Sequence, residues 1–203
     1  MEFRVRPIEE DDLEMIMNWR MLKDVTRYMN TDPKLTLESQ RKWFQSAKES
    51  QTAKYWVVEV GGIPAGVINL ANIDYKARRA SWGYYIAKKQ LRSMKLALSL
   101  ELSLYHYAFS VLCLNEIYGQ VFSENWEVVR IHEICGCYIE KKENDIVEKD
   151  GVRHEITRIS LTREAWQRQD FSKKYNFIDF GGIGGVKNRM FFACWIQQVQ
   201  KCA

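Results

Sequence analysis

A polar connection separates a run of aromatic residues from a long apolar run in the middle of the chain. The stretch 83–101 reads GYYIAKKQLRSMKLALSLE and places Arg92, Ser93 and Lys95 where helical apolar spacing begins. Backbone N–H groups in the first turn of a helix have no partner within the helix, so they bind phosphate readily, and nearby cations strengthen this. The connection is therefore predicted to bind a phosphate-bearing anion, unless Arg92 and Lys95 are only surface charges on an exposed turn.

A second candidate site follows in SENWEVVRIHEICGCYI, residues 123–139. Asn125 stands where a helix is expected to begin, Gly136 where it ends, and His132 lies between them. An imidazole exchanges protons near neutral pH, with an unperturbed pKa of about 6.5. His132 is therefore predicted either to donate a proton in a reaction or to pack as a neutral histidine among apolar neighbours.

These two stretches resemble two motifs of the GNAT superfamily of N-acetyltransferases, and the resemblance extends over roughly residues 3–166. The acetyl-CoA motif, an arginine or glutamine followed by x-x-G-x-G/A, matches at Arg92 and Ala97. The later pattern N-x-x-A-I-x-L-Y-E-K-x-G-F matches at Asn125, Val128, Val129, Ile131, Glu133 and Gly136. The departures are Ser93 and Lys95 in place of loop glycines, His132 in place of a tyrosine, and Cys137 in place of an aromatic residue.

The resemblance implies that an acetyl group passes from acetyl-CoA directly to an amine, without a covalent enzyme intermediate. It implies that backbone N–H groups around Tyr84–Ile86 polarise the thioester carbonyl and that His132 protonates the departing thiolate. No carboxylate occurs in ASWGYYI, so the base is left open among Ser81, Asp74 and an ordered water chain. We expect His132 and Ser81 to be catalytic. The residues implied to contact acetyl-CoA are Tyr84, Tyr85, Ile86, Arg92, Ser93, Met94, Lys95, Leu96, Ala97 and Asn125.

The acceptor site is predicted in NWRMLKDVTRYMN, residues 18–30, and in the following helix. This part resembles GNAT members that acetylate the 4-amino group of UDP-linked 4-amino-4,6-dideoxy-N-acetyl-altrosamine, a step of pseudaminic acid biosynthesis for flagellin or surface glycans. Arginines pair with phosphates, and aromatic rings stack on bases and sugars. The predicted substrate-binding residues are Trp19, Arg20, Arg27, Tyr28 and Trp43, although aromatic residues are also common in cores.

Three alternatives to a nucleotide-sugar acetyltransferase stay open. Members that acetylate ribosomal-protein N-termini share the W-R beginning and the LTREAW-like ending at residues 161–166, and their peptide needs an extended groove. A polyamine would favour acidic walls, whereas the acidic cluster Glu9–Asp12 fits a solvated helix start. With both loop glycines replaced, the chain could also be a non-catalytic acyl-CoA-binding or protein-interaction module.

Apolar periodicity predicts the elements that must position these residues. Strand patterns occur in FRVRP, YWVVEV, VINLANID, RRASWGYYIA, EIYGQVF and CYIEKK, with turns at GGIPAG and Asp150–Gly151. Helical patterns occur in DLEMIMNWRM, TLESQRKWFQSAKES, residues 92–111 and NWEVVRIHEIC. We expect one α/β domain of GNAT fold over residues 1–170, with a mixed, mostly antiparallel sheet flanked by helices, and a C-terminal extension over residues 171–203.

Composition sets the remaining expectations. The net charge of +4 is too small to indicate nucleic-acid binding, and the charged N-terminus and short apolar runs predict a cytoplasmic protein without a membrane segment. Five cysteines without a C-x-x-C pair and three scattered histidines predict no metal. Gly182, Gly184 and Gly185 lie too near the C-terminus for a dinucleotide site, and the apolar patch Met190–Ile196 is predicted to be a packing or homodimer contact.

Overall fold

The computed structural model describes residues 2–169, 171 and 176–181, without the side chains of residues 143 and 144. The strands of this part are β1 Phe3–Pro7, β2 Lys54–Val60, β3 Ile63–Asp74, β4 Arg79–Ile86, β5 Glu116–Phe122, β6 Tyr138–Lys149 and β7 Val152–Thr162. The α-helices are α1 Leu13–Arg20, α2 Lys23–Thr26, α3 Leu37–Glu49, α4 Met94–His106, α5 Trp126–Ile134 and α6 Arg163–Gln167.

The strands form one mixed sheet in the order β1-β2-β3-β4-β5-β7-β6. Every neighbouring pair is antiparallel except β4 and β5, which are parallel. These two strands pair only at Arg79–Ser81 with Glu116–Tyr118 and then separate. Because both run in the same direction, their C-terminal halves leave a cleft inside the sheet, where α/β proteins usually bind ligands.

The two faces of the sheet are covered by different helices. Successive side chains of a strand point to opposite faces, so Trp56, Val58 and Ile68 join one apolar cluster and Val57 and Val67 join the other. The larger cluster includes α4, whose Leu96, Leu100 and Leu104 recur every fourth residue and are fully buried. The smaller cluster includes Ile16 and Trp19 of α1. The cleft between β4 and β5 is therefore a gap in the sheet, with one apolar cluster on each face of that sheet.

The expected mixed, mostly antiparallel sheet flanked by helices is confirmed, with two local differences. The α-helix predicted over residues 92–111 ends at His106 and continues as a wider π-type turn over Tyr107–Val111. The turn predicted at GGIPAG is shorter, because Gly61 and Gly62 both take positive φ and β3 begins at Ile63. Pro64 is tolerated in β3 because the ladder with β2 shifts register beside it.

The described residues beyond position 170 pack on the body of the domain. Phe177 stacks on His106 with ring centroids 4.3 Å apart, and Phe180 is 2% exposed. The indole N–H of Trp56 donates to the Phe180 carbonyl at 2.9 Å. The segment 176–181 is therefore part of the larger core, whereas the glycines at 182–185 and the patch Met190–Ile196 lie outside the described residues. In the described residues no helix is long and apolar enough to cross a membrane.

Candidate active site

The backbone of β4 offers hydrogen-bonding groups to the cleft. The N–H of Ala87 donates to the Ala65 carbonyl at 2.8 Å, which fixes which residues of β4 face β3. Backbone groups alternate along an antiparallel strand, so those of Tyr84 and Ile86 face the side where β5 has moved away. The Ile86 carbonyl accepts from Nε of Arg92 at 2.8 Å. The N–H groups of Tyr84 and Ile86 thus face the cleft, and their role in polarising a thioester carbonyl there stays a prediction.

The N-terminus of α4 borders the same cleft. Ser93 is its N-cap, and the Ser93 hydroxyl accepts from the N–H of Leu96 at 3.2 Å. The N–H groups of Met94 and Lys95 stay available because the first turn of a helix lacks intrahelical acceptors. Lys95 itself extends the other way, with Nζ 5.9 Å from the centroid of the Phe3 ring. A diphosphate is therefore matched by backbone N–H groups and Arg92 more than by the ammonium of Lys95.

A buried polar cluster lies under the cleft, on the α4 face of the sheet. The carboxylate of Glu101, which is 0% exposed, accepts from Tyr84 at 3.1 Å, from Tyr105 at 2.6 Å and from Nδ1 of His132 at 2.9 Å. His132 lies edge-on to the ring of Trp82, with centroids 5.6 Å apart. His132 thus sits on α5 beside Trp82 of β4, one residue after the pairing of β4 with β5 ends.

Burial keeps the neighbouring hydroxyls and thiols protonated. It is the main cause that raises the pKa of Tyr84 and of Tyr105 well above the usual value, and the charge of Glu101 adds to it. Burial likewise raises the pKa of Cys135, and it raises that of Cys137 to about 12. A thiol that stays protonated is a poor nucleophile. Direct transfer to the amine therefore agrees with this cluster better than transfer through a cysteine.

Ser81 and Asn125 stand at the edges of the cleft. The Ser81 hydroxyl donates to the Ala71 carbonyl at 3.0 Å and accepts from the Asn72 amide at 2.9 Å. A hydroxyl engaged in this way is poorly placed to take a proton from an amine, so Ser81 gains no support as the base. Asp74 is also engaged, because it accepts from the N–H groups of residues 76 and 77. Asn125 begins α5 without a side-chain capping bond, which leaves its amide free for a ligand.

A cationic wall lies on the opposite face of the sheet, next to β4. Half-buried Arg20 donates to the Thr31 hydroxyl at 3.0 Å, and burial lowers its pKa while the nearby Tyr85 and Asp32 oppose this. Lys149, whose side chain is 9% exposed, donates to the Thr26 carbonyl at 2.8 Å and lies 3.4 Å from Asp32. The turn between β6 and β7 thereby reaches the segment after α2. We call Arg20, Tyr85 and Lys149 the acceptor wall.

The other predicted substrate-binding residues take different places. Trp19 is 8% exposed and packs with the smaller apolar cluster, so the structure places it in the core, where it cannot stack on a ligand. The guanidinium of Arg27 lies 5.0 Å from the centroid of the Tyr28 ring near the acceptor wall. Trp43 packs edge-on against Tyr55 of β2 and lines a separate open cavity of about 490 Å³.

Comparison with known proteins agrees with this geometry. Residues 2–138 match the family described as "Acetyltransferase (GNAT) domain", and the chain belongs to that family. It is a GNAT acetyltransferase that uses acetyl-CoA as co-substrate. Among the described residues no group of side chains could hold a metal ion.

The individual relatives include spermidine acetyltransferases and an acetyltransferase named PseH. Spermidine N(1)-acetyltransferase of Escherichia coli K12 is 27% identical over 143 residues, which cover 68% of this chain and 73% of the relative. Acetyltransferase PseH of Campylobacter jejuni is 25% identical over 126 residues, 62% of this chain and 76% of the relative. The crystal structure of spermidine N-acetyltransferase from Vibrio cholerae with CoA and spermine superposes with a TM-score of 0.74 at 21% identity, covering 81% of this chain and 98% of that one.

The sequence interpretation missed Glu101, Tyr105 and Lys149. Glu101 and Tyr105 could have been found from the sequence, because they lie four residues apart in the apolar helix LALSLELSLYH. A carboxylate buried in such a helix needs hydrogen-bond partners. Lys149 had none, because its contact with Thr26 spans 123 residues of sequence.

Proposed function

We propose that this acetyltransferase acts on the 4-amino group of a UDP-linked 4-amino-4,6-dideoxy sugar of the N-acetyl-altrosamine type, in pseudaminic acid biosynthesis for flagellin or surface glycans. The observation that carries the proposal is the charge of the acceptor wall. The two carboxylates near this wall are already paired, Asp32 with Lys149 and Asp24 with Lys89. In the described part of the chain Arg20 forms no ion pair with a carboxylate, so a diphosphate would complete its surroundings.

The amine attacks the thioester carbonyl from the acceptor wall. A C–N bond forms, and the carbonyl oxygen gains negative charge that the N–H groups of Tyr84 and Ile86 would stabilise. The nitrogen then loses a proton to solvent, the C–S bond breaks, and the departing sulfur would accept a proton from His132. The first-turn N–H groups of α4 and Arg92 would hold the diphosphate of acetyl-CoA.

A polyamine is the second candidate acceptor, favoured by the similarity to the spermidine acetyltransferases. A polyamine carries several positive charges, and binding it beside Arg20 would place like charges together, because Asp32 is already paired with Lys149. A peptide N-terminus stays a third alternative, because the open cavity lined by Trp43 of α3 offers a separate place for a peptide. The charge of the wall ranks the nucleotide sugar first.

The test is CoA thiol release from acetyl-CoA with three acceptors in parallel: the UDP-4-amino-4,6-dideoxy sugar, spermidine, and a peptide with a ribosomal-protein N-terminus. We expect the sugar to give the highest kcat/KM by at least about tenfold, equivalent to about 1.4 kcal/mol of selectivity. A higher kcat/KM with spermidine would overturn the proposed acceptor and leave the acetyltransferase assignment intact.

Two further properties belong to the proposal. One similar structure is described as a dodecameric spermidine N-acetyltransferase from Vibrio cholerae, and we propose that this chain also self-associates, at least as a homodimer. A cytoplasmic location fits a substrate made from nucleotide precursors. Native mass spectrometry tests the first property, because a monomer at micromolar concentration would contradict it.

A further inference from the structure

Glu101 is a fully buried carboxylate at the centre of three hydrogen-bond donors. We propose that Glu101 is a positioning residue that holds His132 in the orientation and protonation state needed to protonate the departing CoA thiolate. This inference rests on the proposed function through the proton-donor role of His132, and it does not depend on which amine is the acceptor.

The contact between Glu101 and His132 fixes which ring nitrogen is free. Oε2 of Glu101 lies 2.9 Å from Nδ1 of His132, and an ionised carboxylate can only accept a hydrogen bond. The proton between these atoms therefore belongs to Nδ1, and Nε2 is left for chemistry. In the described part of the chain Nε2 has no hydrogen-bond partner. A ring held at one nitrogen by a buried carboxylate points the other nitrogen in a fixed direction.

The other contacts of Glu101 favour the same arrangement. Tyr105 donates to Oε2, the oxygen that also faces His132, and Tyr84 donates to Oε1. Both donors occupy the carboxylate so that it cannot rotate away from His132. Tyr84 lies on β4 beside the cleft, and Tyr105 is fully buried on α4 one turn after Glu101. The carboxylate is therefore fixed by β4, which lines the cleft, and by α4, whose N-terminus borders it.

The proton balance closes with His132 as the only group that changes its state. The imidazolium gives the proton on Nε2 to the thiolate, which becomes the CoA thiol, and the ring becomes neutral with Nδ1–H still bound to Glu101. The attacking nitrogen gives one proton to solvent, and the neutral ring takes one proton back from solvent after turnover. The negative charge of Glu101 stabilises the imidazolium, which is the form that donates.

The test is Glu101→Gln, which keeps the shape and removes the charge. Tyr105→Phe is the comparison variant, because it removes one hydrogen bond to the same Oε2 and the contact with Sγ of Cys137, while the charge of Glu101 and its bond from Tyr84 remain. We expect Glu101→Gln to lower kcat about 10- to 100-fold with the KM for acetyl-CoA within about twofold, and Tyr105→Phe to lower kcat less than about threefold. Equal effects of the two substitutions would mean that Glu101 supports only packing.

A measurement without substrate separates the two proposals. Nitrogen-15 NMR of the free protein reports which ring nitrogen of each of the three histidines carries the proton, and the His132 signals are those absent from His132→Phe. We expect Nδ1 to be protonated in the wild type and this preference to weaken in Glu101→Gln. A protonated Nε2 and bare Nδ1 would refute the positioning role, whereas a normal kcat in His132→Phe would refute only the proton-donor role.

Discussion

The two sides of the cleft differ in how they are assembled. The co-substrate side consists of β4, α4 and α5, and its key groups are backbone N–H groups, one helix N-terminus and the cluster around Glu101. The acceptor wall joins Arg20 of α1, Tyr85 of β4 and Lys149 from the end of β6, which are far apart in sequence. Backbone geometry is common to every chain with this fold, whereas the wall is made of individual side chains. We therefore propose that the first side determines the reaction and that the second determines the acceptor.

The largest effect is expected from His132→Phe. The substitution removes the proposed proton donor but preserves a ring beside Trp82, so kcat should fall by about 100-fold while both KM values change by less than about threefold. Steady-state kinetics, with acetyl-CoA and the acceptor varied in turn, measure the effects on kcat and on each KM separately. Unchanged kcat would remove His132 from the reaction, and a change confined to KM would move it to the acceptor side.

Arg20→Gln should show the opposite split. Losing the cation weakens the diphosphate contact, so the KM for the UDP-linked sugar should rise about tenfold, while kcat for a small amine without phosphate stays within about twofold. Arg27→Gln is a useful control, because Arg27 is engaged with the Tyr28 ring instead of the wall. If spermidine binding improves and sugar binding does not change in Arg20→Gln, the wall is wrongly assigned.

Arg92→Ala should raise the KM for acetyl-CoA about fivefold and leave the KM for the acceptor unchanged. The effect is moderate because the first-turn N–H groups of α4 remain in place. Lys95→Ala should have less effect, since the Lys95 ammonium extends toward Phe3. Calorimetric titration of CoA into each variant compares the two directly, and a larger loss in Lys95→Ala would contradict the arrangement.

The smallest effect is expected on stability, from a substitution of Asp12 at the start of α1, the helix that carries Arg20. Asp12 accepts two hydrogen bonds from Arg6, at 2.6 and 2.8 Å, and holds the start of α1 against β1. Burial raises the pKa of Asp12, but Arg6 and the Glu9 N–H outweigh burial, so the net shift is downward. The unfolded chain therefore binds this proton more readily, and the contribution to stability is present above about pH 4 and is lost as pH falls.

Asp12→Asn should accordingly lower the free energy of unfolding at pH 7 by about 1–2 kcal/mol. Urea unfolding of both proteins at pH 7 and near pH 3 measures the difference, which should shrink at the lower pH. A difference that stays constant with pH would mean that the charge of Asp12 does not contribute.

The same contrast explains what could be predicted from sequence. The elements of the co-substrate side could be predicted, because Ser93 is a typical N-cap, Asn125 opens α5, and Gly136 ends it with φ of 86°. The acceptor wall could be predicted only in part, because Arg20 lies in a readable helix, whereas Lys149 reaches the wall through tertiary contact alone.

Two residues show why side-chain roles were harder to predict than elements. Trp19 was expected to bind substrate, yet helical spacing places it on the buried stripe of α1 with Ile16. Glu101 was overlooked inside an apolar helix, and its partners come from three separate elements. Local pattern determines where a helix runs, but only packing shows what each side chain meets.

The most direct test of the acceptor assignment is a competition in one reaction. The UDP-4-amino-4,6-dideoxy sugar and spermidine are supplied together at equal concentration with limiting acetyl-CoA, and the acetylated products are quantified by mass spectrometry. Their early ratio equals the ratio of kcat/KM values, which we expect to favour the sugar by at least about tenfold. A ratio that favours acetylspermidine would contradict the cationic acceptor wall as the determinant of specificity.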